Sequence, residues 1–154
     1  MRGSAFVKAP AKINLHLSVL GRRPDGYHEI RTVFQAIDLA DMLTVEDADD
    51  LSLTCDEPSL PCDGSNLVMR AAEILRADAG LHAGAAMRLE KRIPLAGGLG
   101  GGSSDAAGAL LALAGLWGVA PSRADLERIG SRLGADVPFF LHGGTAEGTG
   151  RGDA

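Results

Sequence analysis

Pro94-Leu95-Ala96-Gly97-Gly98-Leu99-Gly100-Gly101-Gly102-Ser103-Ser104-Asp105-Ala106-Ala107 stands between two stretches of different hydrophobic period. Before it, Met87, Leu89 and Ile93 fall on one side of an extended chain, and Arg88, Glu90 and Arg92 fall on the other. That is the pattern of a strand over Met87–Ile93. After it, Ser104–Trp117 is apolar nearly all round, as in a helix packed on more than one side. A strand that passes through a glycine-rich turn into a helix aims successive backbone N–H groups, and the positive helix end, at one concave spot. The pattern therefore points to a phosphate site, and Ser103 and Ser104 can donate hydroxyls to phosphate oxygens or cap the helix. A flexible Gly/Ser linker is the alternative, but linkers seldom join an alternating strand to a long apolar helix. No Gly-Lys-Ser/Thr follows the glycines, which excludes a Walker loop, and no acid closes a second strand ~20 residues on, which excludes the dinucleotide fingerprint.

Working outward, Ile13, Leu15, Leu17 and Val19 alternate with Asn14, His16 and Ser18, which predicts a half-buried strand. Lys12, Asn14 and His16 then share its polar face. Arg23-Pro24-Asp25-Gly26 is a turn with a known mechanism. Arg31–Leu39, Met42–Glu46 and Leu51–Thr54 read as further strands. Asn66–Ala79 reads as a helix, with Leu67, Ala71, Ile74 and Leu75 at helical spacing and Gly80 at the left-handed cap. Ser122–Leu133 reads as another, capped by Ser122, with Asp125 near its positive end and a stop at Gly134. Strands, a helix, a strand and then helices give an α+β class with a mostly antiparallel sheet and helices in two layers.

The composition agrees with a folded domain. The 154 residues are 45% hydrophobic and 23% charged, which excludes disordered and fibrous classes. Net charge is −5 with no basic block, so sequence-independent binding to nucleic acid is not expected. Glycine is in excess, at 21 residues, or about 14% against a usual ~7%. The excess is clustered rather than spread, as backbone with special tasks requires. Cys55 and Cys62 are too few for a disulfide scaffold and lack partners for a zinc site, and are expected to be free thiols. The N-terminus has no apolar signal region, and Ala106–Ser122 is too short and too interrupted for a membrane span. A cytoplasmic protein is expected.

Two further segments complete a pattern. They are Ala9-Pro10-Ala11-Lys12-Ile13-Asn14-Leu15, followed by Arg23-Pro24-Asp25-Gly26-Tyr27-His28, and Leu133-Gly134-Ala135-Asp136-Val137-Pro138-Phe139-Phe140. With the glycine motif they resemble the GHMP kinases (galactokinase, homoserine, mevalonate and phosphomevalonate kinases). Within that superfamily they resemble the kinases of 4-diphosphocytidyl-2-C-methyl-D-erythritol. The resemblance covers the whole chain in order. It implies the N-terminal GHMP domain (ribosomal protein S5 domain 2-like) over residues 1–154, with a second, C-terminal GHMP domain lying outside this chain and a substrate cleft between the two. It implies transfer of phosphate from ATP, with Mg²⁺, to the 2-hydroxyl of that cytidine diphosphate derivative of methylerythritol, in the non-mevalonate isoprenoid pathway.

By the same resemblance, Lys12 and Asp136 are the catalytic residues. Pro94, Leu95, Ala96, Gly97, Gly98, Leu99, Gly100, Gly101, Gly102, Ser103 and Ser104 hold ATP, with Asn66 and Lys91 near its base. Asn14, Tyr27 and His28 hold the substrate, Tyr27 offering a π face and His28 an imidazole to cytosine. No residue is assigned to Mg²⁺. Each of these has a plainer reading: a solvated strand lysine for Lys12, a helix cap before Pro138 for Asp136, surface groups for Tyr27 and His28. Another GHMP small-molecule kinase, or a nucleotide-binding fragment without activity, are the other functions weighed. Partners are expected to be small molecules, with no nucleic acid, no membrane and a weak homo-oligomer at most.

Overall fold

A computed structural model describes residues 3–150. Two long antiparallel strands dominate it, β1 (Ser4–Arg22) and β2 (His28–Ala48). They are joined by the Pro-Asp-Gly turn, where the Arg23 N–H donates to the Tyr27 carbonyl at 2.7 Å and Gly26 takes φ 86°. β3 (Leu51–Cys55) then leads through α1 (Leu67–Asp78) to β4 (Gly84–Glu90), and β3 and β4 run parallel. α2 (Gly101–Leu116), α3 (Arg123–Leu133), α4 (Val137–His142) and β5 (Thr145–Gly148) follow. The sheet order is β1-β2-β4-β3, and all pairs but β3–β4 are antiparallel.

β2 serves two partners on its inner edge. Residues 42–48 pair with β4 and residues 32–35 with β5, so the stretch between them is open to other groups. The sequence reading divides this strand in two, at Leu39 and Met42. The structure keeps one strand and accommodates the break as a register shift opposite Pro10 and Lys12.

The helices form a second layer. α2 lies on β1 and β2 and is flanked by α1, α3 and α4. Leu43, Val45, Leu75, Leu89, Leu110, Leu113 and Ile129 are fully or almost fully buried between the layers. Helix ends follow the expected chemistry. Asn66 caps α1 by accepting from the Val68 N–H, Gly80 takes φ 63°, and Ser122 and Asp125 form a reciprocal capping box on α3.

Two further expectations are corrected. α2 begins at Gly101, not Ser104, so Gly101, Gly102 and Ser103 belong to its first turn and the loop proper is shorter. The outer half of β1 is not half-buried: Leu15, Leu17 and Val19 are 59%, 55% and 61% exposed. The helix layer reaches only the inner half, where Ala9 and Ala11 are buried and Val7 meets Gly108. Alternation predicts two faces; it does not supply a layer to cover one of them.

Candidate active site

Lys12 is the pivot. The register shift next to it frees its N–H to donate to the Leu99 carbonyl at 2.9 Å, which ties the glycine loop to β1. Its side chain is buried and its ammonium donates to Asn14 Oδ1 at 2.8 Å. Asp136 Oδ2 lies 3.7 Å from the same ammonium, and the Phe34 ring centroid lies 5.2 Å from it. Phe34, Phe139 and Phe140 stack in series with centroids 5.0 and 5.1 Å apart, an apolar wall behind the charge.

Asn14 is held in turn. Its Nδ2 donates to Thr32 Oγ1 at 2.6 Å, and that hydroxyl donates to the His16 carbonyl at 2.7 Å. A second register shift falls between Asn14 and His16, and the His16 ring bonds Ser18 Oγ instead of joining Lys12 and Asn14.

Asp136 occupies the N-cap position of α4, with Pro138 in the first turn, yet its carboxylate makes no capping bond. Its side chain turns to Lys12 and is 31% exposed. A carboxylate that is partly open and beside an ammonium is available to a substrate hydroxyl.

The loop wraps onto this pair. Gly100 is the N-cap of α2 at φ 70°, and a Cβ there would sit 2.8 Å from Phe140 and 3.2 Å from Lys12 Cγ. The α2 N-terminus therefore approaches Lys12 as closely as backbone permits. Its first amides have no intrahelical acceptor and are donors for an anion. Ala96 takes φ 56°, a strained conformation for a residue with a Cβ. Ser103 Oγ lies near Gly134, while Ser104 Oγ is buried without a partner; neither hydroxyl caps the helix.

The other expected residues do not join the Lys12–Asp136 cluster. Asn66 is buried, with its carbonyl on Val68 N–H and its Nδ2 donating to the Pro61 carbonyl at 2.8 Å. The Lys91 ammonium does not face the loop's open side. It is buried between Asp41 (2.5 Å) and Asp105 (2.8 Å). Tyr27 and His28 are exposed at the tip of the β1–β2 ribbon, where Arg22 pairs with His28. Lys12 pairs with Ala36, ten strand positions back along β1, a contour of roughly 30 Å.

Asp41 and Asp105 are the site-proximal residues that sequence reasoning passed over. Asp105 stands inside the quoted motif and Asp41 interrupts an apolar strand, which is the only signal either gives. Burial pushes the Asp105 carboxyl up to about 7, against the pull of the Lys91 ammonium, with Asp41 adding to the rise. Burial also works against the Lys91 charge, but Asp105 and Asp41 together hold its pKa above the ordinary lysine value.

Comparison with known proteins bears on this geometry. The family "GHMP kinases N terminal domain" matches residues 66–144. The 4-diphosphocytidyl-2-C-methyl-D-erythritol kinase of Salinibacter ruber is 57% identical over 146 residues, 94% of this chain and 51% of that protein. The protein of the same name from Salinispora arenicola is 56% identical over 155 residues, 99% of this chain and 49% of its own. A crystal structure of 4-(cytidine 5'-diphospho)-2C-methyl-D-erythritol kinase superposes with a TM-score of 0.81 at 49% identity, over 96% of this chain and 53% of that one. The chain spans about half the length of the curated relatives it matches.

Proposed function

The chain belongs to the GHMP kinases through their N-terminal domain, and from that premise we propose that it carries the ATP site and catalytic pair of a 4-diphosphocytidyl-2-C-methyl-D-erythritol kinase. The observation that carries the proposal is the convergence of three things at one point: the buried Lys12 ammonium, the uncapped Asp136 carboxylate 3.7 Å from it, and the α2 N-terminus at Gly100.

Phosphoryl transfer asks for alignment and charge stabilisation more than for covalent chemistry. The loop amides and the positive end of α2 take the ATP phosphates; magnesium would supply further positive charge there, and among the described residues no group of three His, Cys, Asp or Glu is placed to hold it. Asp136 accepts the proton of the 2-hydroxyl as its oxygen bonds the γ-phosphorus and the bond to ADP breaks. Lys12, fixed by Asn14 and Phe34, holds the Asp136 carboxylate in place and balances charge on the moving phosphoryl group. Asn14 takes the methylerythritol end, and Tyr27 and His28 are assigned the cytosine on the resemblance, which requires the ribbon to fold back over its contour of roughly 30 Å towards Lys12. The side chains of Asn66 and Lys91 and their backbone N–H groups are engaged within the protein, so any role near the nucleotide base rests on contact rather than on these donors.

Among the described residues no helix is long and apolar enough to cross a membrane, and both cysteines are free thiols. Small-molecule substrates are supported by the names of the relatives the chain matches. The exposed apolar row on β1, an edge strand, supports weak self-association.

The test is ADP release by the complete gene product with 4-diphosphocytidyl-2-C-methyl-D-erythritol, mevalonate and homoserine in parallel. Turnover only with the first is expected. Turnover with either of the others selects another GHMP kinase, and ATP binding without turnover selects a non-catalytic nucleotide protein.

A further inference from the structure

The glycine loop leaves β4 at residues 91–93 and enters α2 at residues 101–105. Three buried side chains join these two ends. Asp41, on the open stretch of β2, accepts with Oδ1 from the Arg92 N–H at 2.5 Å and the Ile93 N–H at 2.8 Å. Its other oxygen takes the Lys91 ammonium, which also donates to Asp105 Oδ2 in the second turn of α2. The Lys91 ammonium lies directly under the first turn, 3.2 Å from where a Cβ on Gly101 would be. The backbone N–H of Lys91 donates to Asp56 Oδ1, which fixes the strand exit from the side of β3.

We propose that Asp41, Lys91 and Asp105 are positioning residues for the phosphate loop: one ammonium shared by two carboxylates sets the distance between the loop's two ends. The proposal rests on the reading of that loop as a nucleotide phosphate site.

The division of labour follows from the bonds. Asp41 receives two backbone donors and the ammonium, so its charge is fully compensated. Asp105 has no backbone donor: it meets the ammonium and the Asp41 carboxyl, and its Oδ1 is buried without a partner. With both carboxylates ionised, three charges carry a net −1 in a nearly dry pocket, which burial disfavours. Asp105 is the group that relieves this by taking a proton. The ionisable groups that act on it are Lys91, from the strand exit, and Asp41, from β2. Lys91 itself faces these two, and its field reaches the Cys55 thiol at the end of β3.

The sign of the effect is fixed. Clamped protein holds a proton on Asp105 up to about pH 7, whereas opened, solvated Asp105 releases it near ~4. The clamp therefore loosens as pH rises between these values and changes no further above them.

Amide hydrogen exchange of residues 97–104 from pH 5 to pH 8, in the unchanged protein and in Asp105→Asn, reads the clamp. Asp105→Asn keeps the shape and leaves the Lys91–Asp41 pair balanced, so folding is retained. Protection in the unchanged protein, corrected for intrinsic rates, is expected to fall by up to about tenfold per pH unit between pH 5 and 7 and then level. Asp105→Asn is expected to give a flat profile. Identical profiles for the two proteins overturn the proposal. Affinity for the magnesium complex of a non-hydrolysable ATP analogue is the second readout, and its ratio between the two proteins is expected to follow protection. A constant ratio beside differing protection overturns the positioning role. The expected protection with no analogue binding by either protein overturns the phosphate reading and supports the clamp alone.

Discussion

The Lys12 ammonium lies 3.7 Å from the Asp136 carboxylate, and Asp136 sits at a helix N-cap without capping it. An N-cap acid normally spends its oxygens on the N–H groups of the first turn. Here they are held free for something outside the helix. Asp136→Asn in the complete gene product is expected to lower kcat by roughly 10²–10⁴-fold, the range of a general base. Nucleotide affinity is expected to stay within a few-fold. Steady-state kinetics beside calorimetric titration of an ATP analogue checks both, and a near-normal kcat would remove Asp136 from the reaction.

Gly100→Val places a Cβ 2.8 Å from Phe140 at a backbone φ of 70°. The left-handed backbone and the overpacking together are expected to cost on the order of 2–4 kcal/mol. Urea unfolding measures that loss. In the fraction that folds, the α2 N-terminus is displaced from Lys12, and analogue binding is expected to be lost as well.

Asn66→Ala separates a cap from a ligand. Loss of the Val68 cap bond and the Pro61 bond is expected to destabilise α1 by about 1–2 kcal/mol. Denaturant midpoints report it. Analogue affinity is expected to stay within about twofold, since the side chain is already engaged inside the protein; a large drop in affinity with normal stability would make Asn66 a direct ligand.

Asp105 gives global stability its own pH dependence. Its folded pKa of about 7 is raised above the unfolded value, so its contribution is full below pH ~4 and is lost as pH rises towards 7. The slope is at most about 1.4 kcal/mol per pH unit in that window, with a plateau above it. Unfolding free energies of the unchanged protein and of Asp105→Asn, taken at intervals from pH 4 to 8, should diverge in this sense.

Residues 1–154 alone are expected to bind an ATP analogue and to show no turnover. Tyr27 is 55% exposed at the ribbon tip, and stacking on one face is worth roughly 1–3 kcal/mol. The relatives it matches are about twice as long. ADP release at millimolar substrate, with sedimentation to detect association through the β1 row, tests this; robust turnover by a monomer would make the unmatched half of the relatives' length dispensable for the reaction.

The parts legible in the sequence are those set by a few neighbouring residues. The alternation around Met87 and Leu89 marks β4, Ser122 with Asp125 marks the start of α3, and Gly80 marks the end of α1, because caps and periods act over one turn or one pleat. The glycine motif marks the turn from β4 into α2 for the same reason. What tertiary structure decided is which charges meet and which faces are covered. Lys12 reaches Asp136 because a register shift, not an alternation rule, releases its N–H to Leu99 and leaves its side chain under Gly100. Lys91 turns inward because Asp41 and Asp105, far from it in sequence, are dry and need a cation. Leu15, Leu17 and Val19 stay in water because the helix layer ends before it reaches them. Burial depends on what the rest of the chain brings to a residue, and a local pattern carries no record of that.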